Sequence, residues 1–598
     1  MNDNIFGSNI RRTILVSVIL IFTTGVLIQL FKMQILSKSV YQEKSNDNSI
    51  KEVIIKAPRG FLFDRDLNYL VGNKPSYSVS ITPSEYDESN NDLIEKVLGT
   101  EHGLISKIFQ KYTRFTEYVP RRIQRSTDFK FIAWLEENKE KLPGVDYSVE
   151  MQRDYSFGIN GSHIFGYTKE ISSEELLKNK ETYSLGDYVG NNGIEKTYEH
   201  LLRGKKGREY YVIDSRQMII GRYEDGKYDV QPMRGNDLVL TINSAAQKTA
   251  EKAFEGKRGA LVAIEPESGD ILAFVSAPPY DLSKFASVTS GEVWNELKQD
   301  TTKPLFNRAT MSRNPPGSTY KMVIALAALD NGLISTSDYV NCTGSFFFGD
   351  RSFKCTHVHG RVNIIDAIEK SCNVFFYQLI LKIGLDRFAE YGRKLGFGEK
   401  TNLDIEEESP GIVPDKEYFD RAYGKGQWTE GYLISLAIGQ GDLITTPVQL
   451  AQYCAILANK GKTKQPHFLK GWIEFQTNKY YQATYEDIDV DISQDAFDIV
   501  REGMYRVVQG DGTATFIRQK DFDIAGKTGT AQNPHGEDHA IFIAFAPYKN
   551  PKIAVAAIVE NVGFGSTHAA PIVRDVIKSY LHDINSKKVF TMLSDVRK

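Results

Sequence analysis

One uncharged apolar stretch near the N-terminus sets the strongest limit on how this chain can fold. The nineteen residues from Thr13 to Phe31 carry no charge and lie between Arg12 and Lys32. As an α-helix this stretch would be about 28 Å long, close to the thickness of a bilayer core. No small-residue cleavage site follows Lys32, so the pattern favours an uncleaved membrane anchor over a signal peptide.

The charges beside this stretch predict its orientation. Arg11 and Arg12 precede it, and basic residues favour the cytoplasmic side of a membrane. The sequence contains no second comparable stretch. We therefore expect a cytoplasmic tail over residues 1–12, a single transmembrane helix over residues 13–31, and an extracytoplasmic chain from residue 33 onward.

The composition indicates globular domains and argues against some partners. A chain of 598 residues with 41% apolar and 25% charged residues is expected to form more than one domain. Its net charge of −3 does not suggest a nucleic acid partner. Its four cysteines are too few for a disulfide framework.

Residues 32–235 are predicted to form a non-catalytic domain. From Val53 the pattern is one of strands and turns, and residues 84–145 look mostly helical and charged. His163 and Glu195 are interpreted as a buried polar pair, because nothing here combines a nucleophile with a base. We expect an elongated α+β pedestal that lifts a catalytic domain from the membrane and contacts partner proteins.

Residues 236–583 are predicted to form an α+β catalytic domain, followed by a C-terminal tail over residues 584–598. Apolar runs typical of strands occur at both ends of this region, with helical patterns over residues 318–470 between them. The simplest assembly is one antiparallel sheet flanked by helices. The strand-like runs are Ala260–Ile264, Ile271–Val275, Phe522–Thr530, Ile541–Phe545 and Ile553–Val559.

The candidate nucleophile lies where a Pro-Pro-Gly loop meets an apolar helical run. Ser318 and Lys321 are three residues apart, so they share one helix face. The run beyond them is apolar on every side, which predicts a buried helix that stops at Asn331-Gly332. Burial should lower the pKa of Lys321, whose neutral amine could then accept the serine proton.

Two further motifs supply partners for this pair. Ser371 and Asn373 lie at an expected turn between helices, where the hydroxyl can relay a proton and the amide can bind a peptide. Lys527 begins a Lys-Thr-Gly-Thr run on an expected strand and offers a fixed positive charge. The rest of that run is predicted to bind substrate: Thr528 and Thr530 through hydroxyls, and Gly529 because a substrate backbone can lie against it.

These motifs, in this order, resemble those of the penicillin-binding protein and serine β-lactamase superfamily. The segments before residue 235 extend the resemblance to class B penicillin-binding proteins. The C-terminal motifs are most similar to the elongation-type branch, the penicillin-binding protein 2 group. The supporting segments are 58–65, Arg153 with His163, 193–195, 438–441, 510–514, 538–540 and 560–571.

The resemblance implies a peptidoglycan D,D-transpeptidase of cell-wall elongation and shape maintenance. Its donor would be a stem peptide ending in D-Ala-D-Ala, its acceptor an amine of a neighbouring stem, and β-lactams would trap Ser318. Carboxypeptidase activity could accompany cross-linking. The family implies no catalytic cofactor, a single-pass position in the bacterial inner membrane, and a SEDS-type glycosyltransferase among its elongation-complex partners.

Three alternatives from the same superfamily remain. One is a septal class B transpeptidase, which has the same motifs. Another is a β-lactamase, but the water-activating Glu-Leu-Asn stretch of class A enzymes does not occur between the second and third motifs. The third is a β-lactam sensor, for which the twelve residues before the anchor leave no room for an effector.

A cysteine cluster surrounds the second motif. Cys342, Cys355, His359 and Cys372 fall within 31 residues, and three thiolates with an imidazole suit tetrahedral zinc. A structural zinc would pin this segment beside Ser371, with His357 as the alternative imidazole ligand to His359. A disulfide, which is natural outside the cytoplasm, and free buried thiols are the alternatives.

Overall fold

The computed structural model describes residues 9–36, 49–111, 120–184, 186–214, 219–286, 289, 291–534 and 536–596. It is an α+β protein, as predicted. Helix α1 (Asn9–Phe31) includes Arg11–Phe31, which is long and apolar enough to cross a membrane. This span contains the predicted anchor.

The chain packs as two units whose segments alternate along the sequence. Residues 1–57, 76–150 and 205–233 form the first unit, and residues 58–75, 151–204 and 234–598 form the second. From the sequence we expect one pedestal domain over residues 32–235. The structure instead packs two of the earlier segments with the catalytic part.

The first unit has a small core of its own. A three-stranded antiparallel sheet is formed by β1 (Ile50–Ile55), β8 (Gly207–Ile213) and β9 (Ile219–Arg222). The second half of β3 (Tyr69–Ile81) pairs with β4 (Arg121–Thr127). Beside them lie helices α2 (Asn91–Leu98), α3 (Leu104–Lys111) and α4 (Phe129–Glu137).

The early segments of the second unit are held by a buried ionic cluster. Glu195 is fully buried and accepts from Arg153 Nε at 2.6 Å and from Arg59 Nη2 at 2.6 Å. His163 is also buried, but its Nε2 lies 2.9 Å from the carbonyl of Pro304. The prediction that His163 and Glu195 form a pair is therefore wrong: each is buried with a different partner.

A five-stranded antiparallel sheet forms the centre of the second unit. Its order is β12 (Ile271–Ala277), β11 (Gly259–Ile264), β23 (Ile553–Val559), β22 (His539–Ala546) and β21 (Ala525–Ala531). Strands from both ends of the domain thus combine in one sheet, as the apolar runs predicted. Strand β21 lies at the edge of this sheet, where β22 is its only strand partner among the described residues.

Helices cover this sheet and carry the remaining motifs. Helix α12 (Lys321–Asp330) and helix α17 (Pro447–Ala458) are almost entirely buried, because their sequences are apolar all round. The other helices of the unit are α5 (Ser162–Phe165), α6 (Ser173–Lys178), α7 (Gly193–Thr197), α8 (Glu199–Leu202), α9 (Ser244–Ala253), α10 (Gly291–Gln299), α11 (Arg308–Met311), α13 (Ile364–Glu369), α14 (Asn373–Lys394), α15 (Lys416–Tyr423), α16 (Gly431–Leu436), α18 (Gln494–Gln509) and α19 (Gly565–Val596).

Short strands complete the fold. A hairpin of β14 (Ser345–Phe348) and β15 (Arg351–Lys354) follows α12, framed by the paired strands β13 (Val340–Cys342) and β16 (Gly360–Val362). The others are β2 (Leu62–Phe63), β5 (Val145–Asp154), β6 (Thr168–Glu170), β7 (Tyr188–Gly190), β10 (Asp237–Leu240), β17 (Lys462–Lys464), β18 (Leu469–Ile473), β19 (Tyr480–Gln482) and β20 (Asp487–Asp489).

Candidate active site

Ser318 lies in a short 3₁₀ helix that runs directly into α12. The 3₁₀ helix covers Gly317–Tyr320, and α12 begins at Lys321. Because residues three apart eclipse one another in a 3₁₀ helix, this geometry places Ser318 and Lys321 on one side. The sequence predicted this shared face, although it assumed a single α-helix.

Glycine lets the nucleophile loop approach strand β21 closely. Gly317 has a φ of 57°, and a Cβ atom there would lie 2.6 Å from the carbonyl oxygen of Thr530. Gly529 is equally constrained, since a Cβ would lie 2.9 Å from Thr319 Cγ2 and 3.0 Å from the carbonyl oxygen of Pro316. We expected Gly529 to make room for substrate, but in the structure it makes room for the loop that carries Ser318.

Lys321 joins the first motif to the second. Its Nζ donates to the carbonyl of Ser371 at 2.9 Å, to Ser371 Oγ at 3.2 Å and to Asn373 Oδ1 at 2.6 Å. The side chain is fully buried, and this burial lowers the pKa of Lys321 to about 8. At neutral pH an appreciable fraction of the amine is therefore neutral, as a general base requires.

Ser371 has a backbone conformation that is uncommon for serine. It lies just after α13, with a φ of 55°, and its N–H donates to the carbonyl of Ile368. A left-handed residue of this kind ends a helix and reverses the chain, here into α14. A non-glycine residue in this region costs about 1–2 kcal/mol, and such strain is concentrated at functional sites.

The acceptors of Lys321 are all in the second motif. Within the described residues, no hydrogen bond joins the side chains of Ser318 and Lys321. Catalytic hydrogen bonds are often long in unliganded enzymes and shorten when substrate binds. The structure places the two residues together on adjoining turns without the direct contact.

Lys527 is the second buried amine of the site. It is fully buried on β21, and its Nζ donates to the carbonyl of Thr528 at 3.1 Å. Burial and the nearby Lys321 lower the pKa of Lys527 well below that of an exposed lysine. The expected fixed positive charge is therefore not favoured in the free protein, whereas a role in proton transfer is compatible with this environment.

Two residues of the site were not among the predicted site residues. Gln440 Nε2 donates to the carbonyl of Thr530 at 2.8 Å, and the hydroxyls of Thr513 and Thr528 lie 2.8 Å apart. Both residues lie in segments that support the family resemblance but were assigned no role, namely 438–441 and 510–514. Their contacts with β21 depend on tertiary packing, which no local pattern reveals.

The cysteine cluster is assembled beside the second motif. The Nδ1 atom of His359 lies 3.6 Å from Cys342 Sγ and 3.5 Å from Cys355 Sγ. Cys372 completes the group, and the four ligand atoms lie within 4.8 Å of one another. All three cysteines are free thiols, as is Cys454, which is buried in α17.

This cluster contacts the catalytic residues through the backbone. The N–H of Asn373 donates to Cys355 Sγ at 3.2 Å. Together with a hydrogen bond from the Cys372 thiol, which is the larger cause, this contact lowers the pKa of Cys355. The predicted ligand set is thus brought together beside Asn373.

Two family models match this chain. The penicillin binding protein transpeptidase domain matches residues 259–578, which include the three motifs predicted to be catalytic. The penicillin-binding protein dimerisation domain matches residues 54–240. Together they account for most of the chain beyond its apolar N-terminal helix.

Relatives and solved structures agree with these matches. The peptidoglycan D,D-transpeptidase MrdA of Haemophilus influenzae is 32% identical, over 96% of this chain and 92% of the relative. This chain also matches a chain in the structure of a complex between PBP2 and MreC from Helicobacter pylori. The TM-score is 0.75 and the identity is 29%, over 90% of this chain and 99% of the other. A peptidoglycan synthase complex that coordinates polymerization and crosslinking matches with a TM-score of 0.73 and 27% identity, over 96% and 98% of the two chains.

The pKa of Lys321 predicts how reaction at Ser318 depends on pH. Because only the neutral amine accepts a proton, the rate of labelling by a fluorescent penicillin should rise about tenfold per pH unit at low pH. It should level off above a pH near 8, the pKa of Lys321. Stopped-flow labelling between pH 5 and 10 measures the profile, and a rate that falls as the pH rises through this range would exclude Lys321 as the base.

The close approach at Gly529 predicts a sensitive position. Gly529→Ala should displace β21 from the loop that carries Ser318 and slow penicillin labelling roughly tenfold, because catalytic geometry tolerates little displacement. Gly291→Ala is the matched control, since a Cβ at Gly291 meets no atom within 4 Å. Equal labelling rates in the two variants would show that this approach does not position the nucleophile.

Proposed function

Because this chain belongs to the class B penicillin-binding proteins, in the branch that includes PBP2 and MrdA, we propose that Ser318, Lys321 and Ser371 carry the D,D-transpeptidase chemistry of that family. The protein is an elongation-type peptidoglycan D,D-transpeptidase. The observation that carries the residue assignment is the buried amine of Lys321, which is bonded to Ser371 and Asn373 one turn after Ser318.

The first half of the reaction forms an acyl-enzyme. Ser318 Oγ attacks the carbonyl carbon between the two terminal D-alanines of the donor stem peptide, and Lys321 accepts the hydroxyl proton. The tetrahedral oxyanion is stabilised by the backbone N–H groups of Ser318 and Thr530. The backbones of Gly317 and Thr530 are adjacent, since a Cβ on Gly317 would lie 2.9 Å from Thr530 N. This proximity supports the assignment of the Ser318 and Thr530 N–H groups.

Collapse of the tetrahedral intermediate breaks the peptide bond. The leaving D-alanine nitrogen takes a proton that Lys321 passes on through Ser371, whose hydroxyl lies 3.2 Å from Lys321 Nζ. Lys527 has the low pKa of a group that can share in this relay. An amine of a second stem peptide then attacks the ester carbonyl, forms the cross-link and returns Ser318 to its hydroxyl form.

The donor lies along the outer edge of β21, the edge that does not pair with β22. An extended peptide added there would have its terminal carboxylate near Thr528 and Thr530, with Lys527 beneath. Thr513 supports this arrangement, because its hydroxyl contacts that of Thr528 and fixes its direction. Asn373 then faces the peptide from the opposite side of the cleft, with its side-chain oxygen held by Lys321.

The position in the cell and the partners follow from the anchor and the relatives. The single apolar helix is compatible with a single-pass membrane anchor, and we place it in the bacterial inner membrane with the catalytic unit outside the cytoplasm. By analogy with the solved complexes, the proposed partners are elongation-complex proteins, namely an MreC-like protein and a SEDS-type glycosyltransferase that polymerises glycan strands. The first unit, which carries the anchor, is the proposed contact region.

We also propose that the cysteine cluster holds a structural zinc ion. Zinc–sulfur bonds of about 2.3 Å and zinc–nitrogen bonds of about 2.0 Å put tetrahedral ligand atoms about 3.5–3.8 Å apart. The distances of 3.6 and 3.5 Å from His359 Nδ1 to the sulfurs of Cys342 and Cys355 fit this geometry. With Cys372 as the fourth ligand, the ion would fasten the segment before Ser371 to the start of α14.

The nucleophile is tested by substitution. Ser318→Ala should abolish covalent labelling by a fluorescent penicillin, because no hydroxyl remains to form the ester. Lys321→Ala should slow labelling about a thousandfold, since it removes the base. Ser335→Ala, at an exposed serine on the loop after α12, should label normally, and labelling that persists in Ser318→Ala would show that the nucleophile is elsewhere.

The zinc proposal is tested by metal analysis. The purified full-length protein should contain about one zinc per chain, and His359→Ala should lose it with a lowered thermal stability. His357→Ala is the matched control, because that imidazole is exposed two residues away and is outside the cluster. A protein without zinc in which Cys355 is oxidised would reject the metal in favour of a disulfide.

A further inference from the structure

We propose that the hairpin of β14 and β15 is a substrate subsite, in which Lys354 and Phe347 bind the acidic part of the donor stem peptide upstream of the bond that Ser318 attacks. The inference rests on the proposed transpeptidase function. It assigns a substrate-recognition role to residues outside the three catalytic motifs.

The hairpin lies beside the second motif. The carbonyl of Lys354 accepts from Asn373 Nδ2 at 3.4 Å and from the Tyr377 hydroxyl at 3.3 Å. Asn373 in turn binds Lys321. The backbone of Lys354 is therefore one contact from Asn373 and two from Lys321.

The pairing of the two strands separates a packed face from an open face. Phe346 lies opposite Phe353, and both rings pack against Tyr377. Phe347 lies opposite Ser352, one residue along, so it points to the other face, where it is 72% exposed. Lys354 shares this open face with Phe347 by the same alternation.

The open face combines a positive charge with an apolar ring. Lys354 is exposed, and in the described part of the chain it forms no ion pair. The only acidic residue of the hairpin, Asp350, is at the turn, the point furthest along the strand from Asn373. An ammonium group beside an exposed phenylalanine suits a peptide that has a carboxylate and an aliphatic stem.

The base of the hairpin is fixed to the catalytic turn. Cys355 directly follows Lys354, and its sulfur accepts from the N–H of Asn373 at 3.2 Å. Cys342 precedes the hairpin and Cys372 adjoins Ser371, and both belong to the same cluster of ligand atoms. The hairpin is thereby fixed to the turn that carries Ser371 and Asn373, as a recognition element must be.

The direction of the donor brings its upstream residues to this face. With the terminal carboxylate at Thr528 and Thr530, the residues before the scissile bond continue past Asn373. Side chains of an extended peptide alternate between the two faces of the sheet, and the proposal assigns one of the upstream side chains to the hairpin. A carboxylate on that side chain would lie within the reach of Lys354.

The experiment compares two synthetic donor peptides with the full-length protein in detergent. The peptides end in D-Ala-D-Ala and differ only in an upstream residue, which has either a carboxylate or a carboxamide. Release of D-alanine gives kcat/KM for each peptide. In the wild-type protein kcat/KM should be about three- to fivefold higher for the carboxylate peptide, as expected for a partly exposed ion pair. In Lys354→Gln the two peptides should have about equal kcat/KM values.

Three further variants make the result specific. Arg351→Gln removes the same charge from the opposite face of the hairpin, near its turn, and should keep the wild-type preference. Lys354→Arg should also keep it. Phe347→Ala should raise KM for both peptides and leave kcat unchanged, because the ring contributes binding and no chemistry.

The outcomes separate this inference from the proposed function. Equal preference in wild type and Lys354→Gln, or an equal loss in Arg351→Gln, would overturn the subsite. If the wild-type protein released no D-alanine from either peptide and Ser318→Ala still bound penicillin covalently, the proposed function would fail, and the subsite with it.

Discussion

The burial of two lysines at one place is the constraint on which the rest of the site depends. Lys321 and Lys527 are both fully enclosed, and an unpaired charge in such a setting is strongly unfavourable. Lys321 donates to three oxygen acceptors and Lys527 to one carbonyl, and among the described residues no carboxylate lies at hydrogen-bonding distance from either amine. Because burial disfavours the charged form, it lowers the pKa of Lys321 to about 8 and the pKa of Lys527 well below its usual value.

This arrangement requires three distant segments to meet with little tolerance. The loop before Ser318, the strand that carries Thr530 and the segment around Gln440 contact one another through backbone atoms and the side chain of Gln440. Gly317 N donates to the carbonyl of Gly439, and Gln440 donates to that of Thr530. The closest approaches occur at Gly317 and Gly439, where a side chain would clash with backbone atoms. The position of the nucleophile therefore depends on the correct packing of the sheet, helix α12 and the 438–441 segment.

The sequence predicted where the three motifs lie on the elements of the fold, and it predicted the sheet, because both are local signals. Ser318, Lys321, Ser371 and Asn373 follow from short spacings, and the strands of the central sheet follow from apolar runs. The contacts of Gln440 and Thr513, and the actual neighbours of Gly529, arise between residues about 15 to 200 positions apart, which periodicity does not encode. The pKa of Lys527 also depends on burial and on a second lysine, so the expected fixed charge could not be judged from the motif.

The interleaving of the two units has a consequence for how the protein can be divided. The chain passes between them five times, at residues 57/58, 75/76, 150/151, 204/205 and 233/234. A single proteolytic cut within one connecting segment would leave the two parts still joined by covalent chain elsewhere. A fragment that begins at residue 236 would lack Leu62, Leu70, Ile164 and Ile194, which belong to the main hydrophobic core, and would expose apolar surface that the intact chain covers.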